Sequence, residues 1–212
     1  MRSNAAGKVK ALAVAAALLV LLPRLAWAHH FMDDQLPQTL AQGLLSGLGH
    51  PVIGVDHAAF IVAAGFLLAP IRGGLWGVLA LILGSLLGAA LHLAGFSLPA
   101  GEAAVALSVI LAGGLVMSAR RIALTWMAAG LALAGLLHGH AYAESIFGAE
   151  PAPLLAYLAG FSLIQFGVAS AALLTHRRLM STDGSRVRRL SGALGAVVGA
   201  IGVLFLAGNV VA

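Results

Sequence analysis

Six apolar stretches follow one another along this chain, each close to the roughly 20 residues that a helix needs to cross a bilayer. They run over residues 51–70, 73–95, 103–119, 122–140, 154–176 and 190–211, and almost no charge interrupts them. Hydrocarbon offers no water to backbone polar groups, so such stretches fold as helices that satisfy their own N–H and C=O groups. The sequence therefore predicts an all-α, polytopic membrane helix bundle with six transmembrane helices. Composition excludes the alternatives. Charged residues make up 9% of the chain and the mean hydropathy is +1.02, whereas soluble domains carry about 25% charged residues. That supply cannot coat a water-facing globule, and a disordered chain has the opposite balance.

A segment of another kind precedes these stretches. Arg2, Lys8 and Lys10 form a positive n-region, residues 11–22 an apolar h-region too short to span comfortably, and Ala26-Trp27-Ala28 an A-x-A cleavage site. Residues 1–28 are expected to be a cleaved signal peptide, with 29–212 as a single transmembrane domain; an uncleaved signal anchor is the alternative. Without Arg2, Lys8, Lys10 and Arg24, eight arginines face seven acids, a net of +1. The formal charge of +5 is thus no nucleic-acid footprint, and there is no basic stripe, zinc-finger spacing or aromatic platform. Nucleic acid is excluded as a partner. The chain contains no cysteine, which removes disulfides, thiolate zinc sites and thiolate catalysis together.

Arginines set the orientation. Arg72 follows the first stretch, Arg120 and Arg121 the third, and Arg177, Arg178, Arg186, Arg188 and Arg189 the fifth, while the intervening connections hold none. All eight fall on one side, which the positive-inside rule makes cytoplasmic. The mature amino terminus is then periplasmic, in agreement with a cleaved signal, and the expected location is the bacterial inner membrane.

That topology gathers polar groups at the outer side. His29, His30, Asp33, Asp34, Glu102, Glu144 and Glu150 lie on or near it, as do His92, His138 and His140 at the outer ends of their stretches. Histidines and carboxylates on the side of first contact suit capture of a divalent transition metal. Asp56 is the most informative residue, because a charge near mid-span costs about 2.5–3.5 kcal/mol and normally faces the bundle interior. Its segment reads Gly49-His50-Pro51-Val52-Ile53-Gly54-Val55-Asp56-His57. Pro51 removes a backbone donor and Gly54 weakens the helix, and broken helices at substrate sites expose carbonyls to ions. On an unbroken helix His50 and His57 stand about 10.5 Å apart along the axis and cannot share one ion. Either the helix breaks at His50-Pro51 or the two rings serve successive steps.

The candidate metal ligands are His50, Asp56, His57, His138 and Glu144, with His29, His30, His92 and His140 as weaker ones, a ranking that rests in part on the family resemblance described below. His140 and Glu144, four apart, share a helical face. His138 and His140 point in opposed directions unless Gly139 bends the chain. Tyr142 reads as an interfacial anchor, His176 as a marker of the inner interface, and Gln165 as an interhelical hydrogen bond or part of a path. Small-xxx-small patterns such as Gly84-Ser85-Leu86-Leu87-Gly88 and Gly192-Ala193-Leu194-Gly195 read as close helix contacts.

His50-x5-Asp56-His57 in the first stretch, behind a cleavable signal, resembles the HupE/UreJ family of nickel and cobalt permeases. That family's usual span-four signature is Phe-His-Gly-x-Ala-His-Gly-x-Glu. His138, Gly139 and Ala141 match it, Leu137 replaces Phe, Tyr142 replaces the second His, and the acid comes one place early, at Glu144. The segment 141–150, followed by Pro153-Leu154-Leu155-Ala156-Tyr157, is similar to a branch with Tyr at that position. The resemblance implies metal-site roles for His50, Asp56, His57 and His138, and for Glu144.

The expected function is uptake of Ni2+ or Co2+, with Zn2+ as a further candidate, by facilitated or secondary transport. Absence of cysteine and scarcity of methionine oppose a Cu(I) path, and no phosphate-binding Gly-x4-Gly-Lys-Ser/Thr motif is present. An inside-negative potential supplies about 4.6 kcal/mol per 100 mV for a divalent ion, twice the single-charge figure. No catalytic cofactor is expected; the metal is cargo. Two rival readings are a membrane-embedded metal-dependent hydrolase and a metal-binding accessory subunit. The first lacks a His-Glu-x-x-His motif. The sequence leaves a homo-oligomer or a metal-delivery partner open.

Overall fold

The computed structural model describes residues 36–118, 120 and 122–211. The expected signal peptide at 1–28, together with His29 and His30, lies outside the described residues. Every element among them is helical: α1 (Leu40–Ile53), α2 (Val55–Leu68), α3 (Gly74–Leu93), α4 (Gly101–Ser118), α5 (Leu124–Glu144), α6 (Pro151–Thr182) and α7 (Gly184–Val211). Four of them, α3, α4, α6 and α7, are long and apolar enough to cross a membrane. A fifth crossing arises if α1 and α2, bent by 77° at their junction, count as one. The helix α5 has 21 residues but stands outside that set, since His138 and His140 lower its hydropathy.

The first apolar stretch differs most from expectation. Helix starts earlier than residue 51, because Thr39 and Gln42 form a reciprocal capping box in which each side chain accepts the other's backbone N–H. It then runs through Pro51 and breaks at Gly54, whose backbone is extended (φ −65°, ψ 104°), rather than at His50-Pro51. The Arg-bearing connection between the last two helices is itself almost wholly helical. Only Asp183 interrupts it, and its carboxylate accepts the N–H groups of Ser185 and Arg186 as the cap of α7.

Glycine seams hold the bundle. A Cβ on Gly84 or Gly88 of α3 would strike the carbonyl oxygens of Ala132 or Leu136 on α5, and one on Gly135 or Gly139 of α5 would strike those of Leu81 or Ser85 on α3. The two backbones thus pack directly on each other, as small-xxx-small patterns permit. Gly43 and Gly47 of α1 lie against the backbones of Pro153 and Tyr157 on α6, and Gly113 of α4 against Gly195 and Gly199 of α7. A buried cluster of Phe60, Ile61, Leu68, Leu81, Val109 and Leu173 joins the helices at one end, and Tyr142, Ile146, Tyr157 and Phe161 fill the other.

Large apolar side chains cover the outside. Leu83, Leu111, Leu133 and Leu163 are each more than 60% exposed, as expected where lipid is the solvent. Trp76 and Trp126 point outward near the starts of α3 and α5, the positions of an interfacial aromatic belt. Arg177 of α6 donates to the carbonyls of Ala69 (2.8 Å) and Ile71 (2.7 Å), at the C-terminal end of α2 beside Arg72. Two of the basic connections therefore meet at one end of the bundle.

Candidate metal site

The break at Gly54 turns the chain so that residues on either side of it face one chamber. His50, near the end of α1, and His57, in the first turn of α2, bring their rings to a centroid distance of 5.8 Å. Helical geometry alone would keep them about 10.5 Å apart along an axis, so the break is what joins them. A Cβ on Gly54 would stand 2.7 Å from Cδ2 of His57, so any other residue there has to displace that ring or open the bend.

Helix α5 supplies the opposite wall. His138, fully buried, places its Nδ1 2.8 Å from Nδ1 of His57. Its Nε2 lies 2.9 Å from the hydroxyl of Ser108 on α4, which donates to the carbonyl of Val105 at 2.7 Å. Because the Ser108 hydrogen is committed to Val105, Nε2 of His138 is the donor in that contact. Nδ1 of His138 then carries the lone pair and faces the chamber. Phe60 stacks on the other face of the His138 ring at 4.2 Å, leaving it little freedom to turn.

Asp56 is 4% exposed. Its Oδ2 is 3.9 Å from Nδ1 of His57, while its Oδ1 is buried without a hydrogen-bond partner among the described residues. Buried carboxylates are nearly always paired or bound to a metal, so an orphaned oxygen beside two facing imidazoles fits a cation donor set. Ligand nitrogens sit about 2.0–2.1 Å from a transition metal, and a separation of 2.8 Å approaches that of two adjacent ligands on one ion.

Tyr142 roofs the chamber. The sequence suggested an interfacial anchor, but the residue is fully buried, its ring 4.6 Å from that of His57 and 5.3 Å from that of His50. Its hydroxyl has no hydrogen-bond partner among the described residues. Its carbonyl accepts from Tyr157 (2.8 Å) and Ser145 (3.0 Å), and the Ser145 oxygen lies 3.1 Å from Nδ1 of His50. Ser108, Ser145 and Tyr157 orient the candidate ligands, yet sequence reasoning gave none of them a role in the site, and Ser145 and Tyr157 entered it only within the segments that carry the family resemblance. The available signals were a lone hydroxyl inside an apolar helix and one a single turn beyond Tyr142.

The other candidates lie elsewhere. Glu144 and His140 are not in this chamber; they meet His92 of α3 at the C-terminal end of α5. His138 and His140 do point to opposite sides, since α5 continues unbroken through Gly139. Gln165 accepts from Ser85 at 3.1 Å, a bond between α3 and α6, and its Nε2 has no partner among the described residues. His176 is buried, stacked on Phe66 at 4.4 Å, and reaches the Phe66 carbonyl and Ser191. It ties α2, α6 and α7 together.

A family model described as HupE / UreJ protein matches residues 16–205. Protein HupE of Rhizobium leguminosarum bv. viciae is 31% identical over 183 residues, covering 84% of this chain and 90% of that protein. No solved structure matches. The matched span contains the broken helix and every candidate ligand of the chamber, and on this footing the chain belongs to the HupE/UreJ family.

Proposed function

We propose that this protein is an inner-membrane permease that takes up a divalent transition metal, Ni2+ or Co2+, from the periplasm by facilitated or secondary transport. The observation that carries this reading is the chamber at the break between α1 and α2, where Asp56 keeps a buried oxygen with no hydrogen-bond partner among the described residues, beside the facing imidazoles of His57 and His138. Asp56, His50, His57 and His138 hold the ion after partial dehydration, and the membrane potential draws it inward at about 4.6 kcal/mol per 100 mV for two charges. Imidazole and carboxylate donors without thiolates suit Ni2+, Co2+ or Zn2+. In this reading the bent pair α1–α2 is one broken crossing and α5 is the sixth, its two histidines buried against protein rather than facing lipid. The arginine ends of the helices face the cytoplasm.

The decisive experiment is metal accumulation in cells lacking their own uptake systems, with this protein or Asp56→Asn at matched membrane levels. Ni, Co, Zn and Cu are supplied separately at low concentration and counted by mass spectrometry. Uptake of Ni or Co that disappears in the variant is the expected result. No excess over empty cells for any metal overturns the permease reading in favour of an accessory or hydrolytic role. Equal uptake by both proteins retains transport but removes Asp56 from it.

A further inference from the structure

Two helices that run side by side, α3 and α5, end together, and each ends on metal-ligating side chains. His92 stands in the last turn of α3, while Glu144 is the last residue of α5 and His140 lies one turn before it. Each offers one ligating atom, and these atoms all lie within 4.8 Å of one another. The His92 and His140 rings meet edge to face at 4.5 Å, with Nδ1 of His92 3.3 Å from Nε2 of His140. Nε2 of His140 donates to the Phe96 carbonyl at 2.9 Å, which leaves the lone pair of that ring on Nδ1 for a cation.

We infer that His92, His140 and Glu144 form a second divalent-cation site, separate from the chamber around Asp56. Electrostatics supports it independently of the ligand count. The C-terminal end of a helix carries the negative pole of its dipole, so an acid in the last turn is unfavourably placed and a cation there is favoured. Glu144 is thus a poor choice for stabilising α5 and a good one for binding a cation where two such poles converge. Two imidazoles and one carboxylate leave a position open for water, the arrangement of an exchangeable rather than a structural site. Burial is graded in the same sense: His140 is buried, His92 partly buried and Glu144 exposed.

The two sites are distinct because one helix serves both. His138 and His140 are two residues apart, about 200° around α5, and the backbone of Gly139 is pressed against Ser85 of α3. That contact fixes the rotation of α5, so neither histidine can change sides. One site therefore opens at the helix ends and the other lies inside the bundle. Its role as the capture station for the chamber rests on the permease reading; its ability to bind a cation does not.

The test uses the full chain in lipid nanodiscs with Co2+ as the probe, counting ions per chain by equilibrium dialysis and recording the visible ligand-field absorption. Asp56→Asn protein, impaired in the chamber, is expected to keep one Co2+. Adding His92→Ala or Glu144→Gln is expected to weaken that ion's binding at least tenfold and to change its spectrum. Glu144→Gln alters an exposed side chain and decides the matter if His92→Ala does not fold. Absence of Co2+ from the Asp56→Asn protein, or unchanged affinity and spectrum in the added variants, overturns the site. Failure of the wild-type protein to accumulate metal in cells would sink the permease reading and leave this ion count untouched.

Discussion

Nδ1 of His57 and Nδ1 of His138 face each other at 2.8 Å across the contact between α2 and α5. Two like nitrogens at that distance need a proton or a cation between them. Ser108 settles which atom of His138 is available, because it accepts the proton on Nε2 and leaves the lone pair of Nδ1 facing His57.

Ser108→Ala is therefore expected to damage metal binding without touching a ligand. It leaves the Nε2–H of a buried imidazole unsatisfied, at a cost of about 1–3 kcal/mol, and frees the ring to adopt the wrong tautomer. Loss of such an outer partner typically lowers metal affinity about 10–100-fold. Titration of purified protein with Ni2+ checks this, and an affinity equal to wild type would remove Ser108 from the site.

Gly54→Ala tests the hinge. The added methyl meets the His57 ring at 2.7 Å, so the ring or the bend must give way. Uptake should fall at least tenfold while the protein still reaches the membrane, in line with about 1–3 kcal/mol of overpacking. Normal uptake by this variant would show that the His57 position is not critical.

Glycines on α5 should divide by position. Gly139→Ala drives a methyl into the carbonyl of Ser85, whereas Gly130 has nothing within 4 Å of its would-be Cβ. The first is expected to lower thermal stability in detergent by about 1–3 kcal/mol or more. The second should be neutral or stabilising by up to about 1 kcal/mol through helix propensity. Equal shifts for both would contradict the seam between α3 and α5.

Asp183 provides a pH test outside the membrane-spanning segments. The backbone N–H of Arg186, then the side chain of Ser185, hold its carboxyl below the usual carboxylate range. A lowered value in the folded state means that the charged cap stabilises above the unfolded value, and that this contribution disappears as pH falls through the folded one. Thermal midpoints of wild type and Asp183→Asn should differ at pH 7 and converge in strong acid. A constant difference across that range would assign the effect to packing instead of charge.

Much of the architecture is legible in the chain, for a local reason. Long uncharged segments have no stable fold in hydrocarbon other than helix, and Pro51, Gly54 and the Thr39/Gln42 pair act on their own neighbours. Asp56 announces itself by the cost of a charge among apolar residues. The early start of α1 was also written there, in a capping signal that a search for apolar length alone passes over. What the sequence could not express is which face of each helix meets which neighbour. Helices that are apolar all round carry no stripe to define an inner face, so nothing local says that His57 meets His138, 81 positions away, that Ser108 orients it, or that Tyr142 turns inward. Nor does spacing assign Glu144 to His92 and not to Asp56. Those pairings follow from direct backbone contacts such as Gly139 on Ser85 and Gly88 on Leu136, which set the rotation of α5 against α3. Only the packed bundle brings together the groups that chemistry needs, because close packing, not hydropathy, chooses among faces that lipid would accept equally.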